Sequence, residues 1–158
     1  MRLEGHTIIV TGAGGGIGRA ITRRLAEEGA SLALFDVDAG VEQAAAAIAG
    51  TVAAAGAKIA TVLVDVADAA QVNAAVESAR AQLGPLSGLV NNAGLTANVA
   101  PIAKMGDEQW QREIGVNLTG PFNLIRAVLP GMVERRFGRI VNISSVAARG
   151  GLYRQAGY

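Results

Sequence analysis

Cysteine is absent from the 158 residues, which excludes disulfides, thiolate nucleophiles and cysteine-held metals and suits a reducing compartment. The only histidine, His6, opens an apolar run and reads as a strand-edge residue, so histidine metal cages and a Ser-His catalytic pair are set aside. Charge is scarce and balanced: 14 Lys and Arg stand against 13 Asp and Glu. These residues are intermingled, forming neither a basic stripe for nucleic acid nor an acidic tail. Long apolar segments are missing too. The longest charge-free run, 84–103, is interrupted by Pro85, Ser87, Asn91, Asn92, Asn98 and Pro101, which argues against a membrane span. Met1 to Gly5 lack the apolar centre of an export signal, so the expected location is cytoplasmic. What abounds is small and aliphatic: 51% hydrophobic residues and 21 glycines, enough for one packed domain.

The glycines concentrate at Thr11-Gly12-Ala13-Gly14-Gly15-Gly16-Ile17-Gly18, between the apolar run Thr7 to Val10 and a helical pattern. Glycine lacks a Cβ and lets backbone N–H groups approach a ligand, while the helix beyond supplies unpaired N–H groups and a positive dipole end. A pyrophosphate suits such a loop. The spacing G-x-G-x-x-G fails, because Ile17 stands where its third glycine belongs. Two other spacings fit, one through Gly12, Gly16 and Gly18 and one through Gly12, Gly15 and Gly18.

Short apolar runs alternate with longer helical patterns, which predicts an α/β fold with a parallel sheet covered on both faces. Strands are expected at 6–10, 31–35, 59–64, 88–90 and 139–143, and helices at 16–28, 39–55 and 107–136. Another helix is expected after Asp68, which pairs with Gln71 as a capping box. Ile17, Ile21 and Leu25 should form the buried face of the first helix. Leu118, Phe122, Ile125, Leu129 and Val133 share one face of the long helix, which Pro121 and Pro130 should kink or locally disturb. The fifth strand is nearly all apolar and carries no edge-blunting residue, so further chain is expected after Tyr158. Asp36 ends the second strand 18 residues beyond Gly18. Its carboxylate is placed to accept from ribose hydroxyls and to repel a 2′-phosphate, favouring NAD over NADP. Neither Gly15 nor Val37 offers a basic group to a 2′-phosphate.

Thr11 to Gly18, Asp36, Asp65-Val66, Asn91-Asn92-Ala93-Gly94, Asn117 in Val116 to Gly120, and Ile140 to Ser145 together resemble the short-chain dehydrogenase/reductase family. The resemblance runs in order through nearly the whole chain. It implies a Rossmann-like doubly wound sheet of order 3-2-1-4-5, here stopping before the later strands. The Asn-Asn-Ala-Gly run is similar to the compact branch rather than to the extended, epimerase-like branch, which selects Gly12, Gly16 and Gly18. The implied cofactor site comprises Thr11, Gly12, Gly14, Gly15, Gly16, Ile17, Gly18, Asp36, Asp65, Val66, Asn92, Ala93 and Gly94, with NAD as cofactor.

The same resemblance implies that Ser145 holds a substrate oxygen, Tyr158 exchanges a proton with it and Asn117 positions a relay water. The substrate would be a small alcohol or ketone. Tyr153 is the rival tyrosine, but Gly157 stands four residues after it, where the family pattern has lysine. The corresponding lysine after Tyr158 falls outside the 158 residues, so this chain alone is expected to be inactive. A non-catalytic nucleotide-binding or interaction module is the alternative. Family members commonly form homo-oligomers through the long helix and the helix after the tyrosine. Nothing in the sequence chooses between a 3-oxoacyl-acyl-carrier-protein reductase and a sugar or alcohol dehydrogenase.

Overall fold

The computed structural model describes residues 1–96 and 99–158; Asn98, cited above for its polarity, lies outside the described residues. Strands β1 (Thr7–Thr11), β2 (Ser31–Asp36), β3 (Ile59–Leu63), β4 (Gly88–Asn91) and β5 (Arg139–Asn142) form a parallel sheet of order β3-β2-β1-β4-β5. The helices are α1 (Gly16–Glu27), α2 (Gly40–Ala54), α3 (Ala69–Leu83), α4 (Asp107–Ile114), α5 (Gly120–Glu134) and the short α6 (Ala147–Gly150). A 3-10 turn spans Ile102–Lys104, and a π-helical stretch, Gly115–Thr119, joins α4 to α5.

Side chains along a strand alternate between faces, so β1 and β2 feed two cores. Ile8, Val10, Leu32 and Leu34 pack with Ala26, Val41, Ile48 and Val52 beneath α1 and α2. Ile9, Ala33 and Phe35 pack on the other face with Val72, Val76, Leu124, Val128 and Met132 from α3 and α5. Each such large aliphatic or aromatic side chain contributes about 1.5–3 kcal/mol on burial. The polar start of α3 is held locally. Asp68 accepts from the Ala70 and Gln71 N–H groups at 2.8 and 3.1 Å, and these bonds hold its carboxyl below the usual range. The Gln71 side chain donates to Asp68 Oδ2 and accepts from the Asp65 N–H, tying the end of β3 to the helix start.

The expected buried face of α1 is corrected, and the apolar face shared along the long helix turns out to lie on the solvent side. In α1 the buried residues are Gly18, Thr22 and Ala26; Ile17 is 65% exposed, while Ile21 and Leu25 pack only at the margin. The helix lies so close to β1 that only small side chains fit between them. In α5 the sheet-facing residues are Asn123, Leu124, Val128 and Met132, whereas Leu118, Phe122, Leu129 and Val133 are exposed. Pro130 sits inside α5, which continues past it to Glu134. The irregularity falls instead ahead of Pro121, in the π-helical stretch, because proline at the first turn of α5 has no N–H to return to the preceding turn.

At the sheet end opposite the cleft described below, Glu28 caps α1 and gathers two arginines. Arg2 donates its backbone N–H and its guanidinium to the Glu28 carboxylate at 3.2 and 2.7 Å, and Arg24 pairs with the same group. The Arg2 side-chain bond, followed by its backbone bond, lowers the Glu28 carboxyl to about 2 from 4.5. A carboxyl lowered on folding stabilises above its unfolded value, and that contribution disappears as pH falls through the folded one. Urea midpoints should therefore decline between pH 4.5 and about 2, and Glu28→Gln should flatten part of that decline while leaving the slope near neutral pH unchanged.

Candidate functional site

The sheet order places β1 beside both β2 and β4, and the chain leaves these two neighbours in opposite directions. A crevice opens at such a switch point, beyond the carboxyl ends of the strands. Here it is a cleft of about 570 Å³ bordered by the loops after β1, β2, β3 and β4.

The floor is the glycine turn. Gly12 adopts φ +63°, a left-handed conformation, and a Cβ on it would lie 2.9 Å from Ala93 Cα. A Cβ on Gly18 would fall on the Gly12 carbonyl oxygen, so the start of α1 rests directly on the turn. Gly16 is different. A Cβ there would meet nothing within 4 Å, and one on Gly15 only the Gly12 oxygen at 3.5 Å. Packing therefore does not require glycine at 15 or 16, and both positions open onto the cleft. Helix α1 has no side-chain cap and no acidic residue in its first turn, so its first N–H groups are available to an anion.

Thr11 lies behind this floor, 1% exposed, and does not line the cleft. Its Oγ1 accepts from the Asn92 and Ala93 N–H groups, both at 3.0 Å, because the adjacent ends of β1 and β4 leave those donors without strand partners. Asn92 returns the contact: its amide donates to the Thr11 and Gly12 carbonyls at 3.0 and 3.1 Å. Asn92 thus borders the cleft with its amide committed to the glycine turn.

Gly12, Gly14, Gly15, Gly16, Ile17, Gly18, Asp36, Asp65, Val66, Asn92, Ala93 and Gly94 all line the cleft. Asp36 Oδ2 accepts from the Gly14 N–H at 2.8 Å and Oδ1 from the Asp38 N–H at 3.1 Å, which leaves further lone pairs toward the opening. Asp38 adds a second carboxylate at this rim. Arg19, which the sequence pattern did not single out, donates to the carbonyls of Gly14 and Gly40 at 2.7 and 3.3 Å and fastens the glycine turn to the start of α2. Val64, Leu95, Arg112 and Val116 complete the wall and were likewise not anticipated. They come from segments far apart in sequence, so no local pattern marks them. Arg112 reaches from α4 to Asp65 at the end of β3, Nη1 to Oδ2 2.6 Å.

The three residues expected to act on substrate lie outside the lining of this cleft. Asn117, in the π-helical stretch, accepts from the Leu95 N–H at 2.8 Å and donates to the carbonyls of Leu95 at 2.9 Å and Gly157 at 3.3 Å. Ser145 is half-buried after β5 and accepts from the Ala147 N–H at 3.2 Å. Tyr158 is 41% exposed, and among the described residues no hydrogen bond joins it to Ser145. Its neighbour Gly157 is buried against Glu113 and tied to Asn117, so Asn117 connects the cleft wall to the segment bearing the tyrosine. Tyr153 is 86% exposed beside Arg154. No group of residues able to hold a metal occurs among the described residues, and no helix among them is long and apolar enough to cross a membrane.

The sequence profile of the family described as short chain dehydrogenase matches residues 6–158. The chain is 41% identical over 157 residues to 2-(S)-hydroxypropyl-CoM dehydrogenase 3 of Xanthobacter autotrophicus, covering 99% of this chain and 60% of that protein. It is 38% identical to a 3-oxoacyl-acyl-carrier-protein reductase of Thermotoga maritima, covering 99% and 61%. Among solved structures, levodione reductase superposes with a TM-score of 0.93 at 37% identity, and NAD+-bound xylitol dehydrogenase with 0.88 at 34%. Those alignments cover 99% and 100% of this chain and 60% of each relative. The chain spans about 60% of the length of the relatives it matches.

Removing the Thr11 hydroxyl leaves two N–H groups without their acceptor in a site largely shielded from water. Thr11→Val should lower stability by about 1–3 kcal/mol in urea unfolding, whereas Thr11→Ser should retain most of it.

Proposed function

The chain belongs to the short-chain dehydrogenase/reductase family, and from that premise we propose that it binds NAD and that its parent activity interconverts a small secondary alcohol and its ketone. The observation that carries the reading is the cleft at the strand switch point, floored by glycines 15 and 16 whose missing side chains leave ligand space and walled by Asp36. The α1 N–H groups would hold a pyrophosphate. The Asp36 carboxylate accepts from the ribose hydroxyls. Asp36 and Asp38 together repel a 2′-phosphate, and the nearby Arg19 is already committed to two carbonyls, so NAD is preferred over NADP. A dinucleotide held by the glycine turn and Asp36 would supply hydride-transfer chemistry through its nicotinamide ring.

The chain's own residues handle the oxygen and its proton. The Ser145 hydroxyl donates to the substrate oxygen and steadies it as negative charge develops. The Tyr158 hydroxyl gives that oxygen its proton in reduction and takes it back in oxidation. Asn117 holds the Gly157 carbonyl, and so the approach of Tyr158, besides serving as a relay partner. An ordinary phenol titrates near 10, too high for a base at neutral pH, and the family's lysine corrects this by favouring the phenolate. That lysine position is not among the 158 residues, and we assign no turnover to them alone. The named activities of the relatives act at alcohol or ketone carbons, which supports the substrate class without choosing within it.

The exposed stripe of Leu118, in the π-helical stretch, and Phe122, Leu129 and Val133, on α5, supports a homo-oligomer formed through this face. A cytoplasmic setting fits the lack of cysteine.

Calorimetric titration should show NAD binding at least about tenfold more tightly than NADP, and Asp36→Ser should narrow that difference. Absence of NAD binding would overturn the proposed function. Oxidation of secondary alcohols by the 158-residue chain should not exceed that of Tyr158→Phe; a clear excess would show that these residues suffice for catalysis.

A further inference from the structure

On the reading above, in which Tyr158 exchanges a proton with the substrate oxygen, the placement of that tyrosine depends on the irregular segment that precedes it. We infer that Glu113 is a positioning residue for Tyr158: its buried carboxyl is the seat against which Gly157, the residue before the tyrosine, is held.

Three observations converge on this. The buried residue of helix α4 is Glu113, only 1% exposed. Carboxyl groups are rarely buried so fully, and an apolar side chain of similar length would fill the same space without the desolvation cost. Folding alone therefore does not explain an acid there. Second, Gly157 is buried, and a Cβ on it would fall on Glu113 Oε2 and lie 3.0 and 3.1 Å from Glu113 Cβ and Cδ. Gly157 does not take a positive φ, so its backbone conformation does not call for glycine. The Glu113 side chain does. Third, the segment is pinned on either side of this contact. Asn117, four residues after Glu113, donates to the Gly157 carbonyl at 3.3 Å, and the Ala100 N–H donates to the Arg154 carbonyl at 2.9 Å. Arg154 holds φ +64°, a left-handed conformation that a residue with a Cβ keeps only where its surroundings fix it.

The chemistry of the seat follows from the glycine. A Cβ takes the place of one Cα hydrogen, so the Gly157 hydrogen that a side chain would replace points at Oε2. A carboxyl oxygen is a strong acceptor, and backbone Cα–H groups donate weakly to such oxygens. Glu113 thus meets Gly157 from its Cα side while Asn117 takes its carbonyl, and together they fix the residue to which Tyr158 is joined.

The test exploits Trp110, the one tryptophan, on the same helix as Glu113, and a Tyr153→Phe background in which Tyr158 is the one tyrosine left. Trp110 emission excited through tyrosine, relative to direct excitation, then reports how closely Tyr158 is held to α4; melting temperatures are measured alongside. Glu113→Gln keeps an acceptor oxygen and should preserve the energy transfer. Glu113→Met fills the space without that oxygen and should lower the transfer by roughly half, because a segment released from its seat opens locally, while the melting temperature stays unchanged or rises. Gly157→Ala, in a segment outside both cores, should fold and lower the transfer to a similar extent, and should add no further loss when combined with Glu113→Met. Undiminished transfer in Glu113→Met would mark a merely space-filling role and overturn the inference, as would full transfer in Gly157→Ala, lost transfer in Glu113→Gln, or additive losses in the double variant. NAD titration of the same background keeps the two readings apart: absence of NAD binding would overturn the functional reading, whereas the transfer pattern alone decides the seat.

Discussion

The cleft depends on the reciprocal hydrogen bonds between the ends of β1 and β4. Thr11 accepts two N–H groups from Asn92 and Ala93, and the Asn92 amide donates to two carbonyls of the glycine turn. Parallel strands that diverge at their carboxyl ends leave such groups unpaired, and a buried unpaired amide is costly. The threonine and asparagine satisfy them across the gap without closing it. The position of Gly12 follows, since its left-handed turn lies against Ala93, and the position of α1 follows from Gly12, since Gly18 rests on its carbonyl. One hydroxyl therefore governs where the helix N-terminus points.

Most of the architecture was legible because β1 and β2 are almost wholly apolar and buried on both faces, a pattern that only a covered parallel strand requires. The glycine turn, Asp36 and the Asp68 cap were legible for a different reason: each is a local device whose partners lie within a few residues or at a regular spacing. Failures came where distance, not size, decided burial. Ile17, Ile21 and Leu25 have helical spacing and bulk, yet α1 lies too near the sheet for them, and Gly18, Thr22 and Ala26 take the contact. Thr11 belongs to the loop motif by sequence, but its side chain turns away from the cleft into the β1–β4 junction. Asp65 was legible, but Arg112 lies 47 residues away and meets it only once α4 has packed over β3, so no spacing announces their pairing.

The join between α4 and α5 shows how one irregularity can position a polar side chain and orient an apolar face at once. In a regular helix the N–H of residue 121 would bond the carbonyl of Asn117; proline has no such N–H, and its ring crowds that carbonyl. The chain accommodates this with a wider turn, in which the Gly120 N–H reaches back to the Gly115 carbonyl. An added residue rotates everything beyond it by about 100° relative to a continuous helix. Val116 borders the cleft, while Leu118, Phe122, Leu129 and Val133 face solvent and Asn123, Leu124, Val128 and Met132 face the sheet. Asn123 is buried there with its amide donating to the Val66 carbonyl, which fixes the register of α5 against the end of β3. Asn117 remains within the wide turn, where its amide can pair with both backbone groups of Leu95 and still reach Gly157. The wide turn ahead of Pro121 is thus where Asn117 joins the cleft wall to the segment before Tyr158.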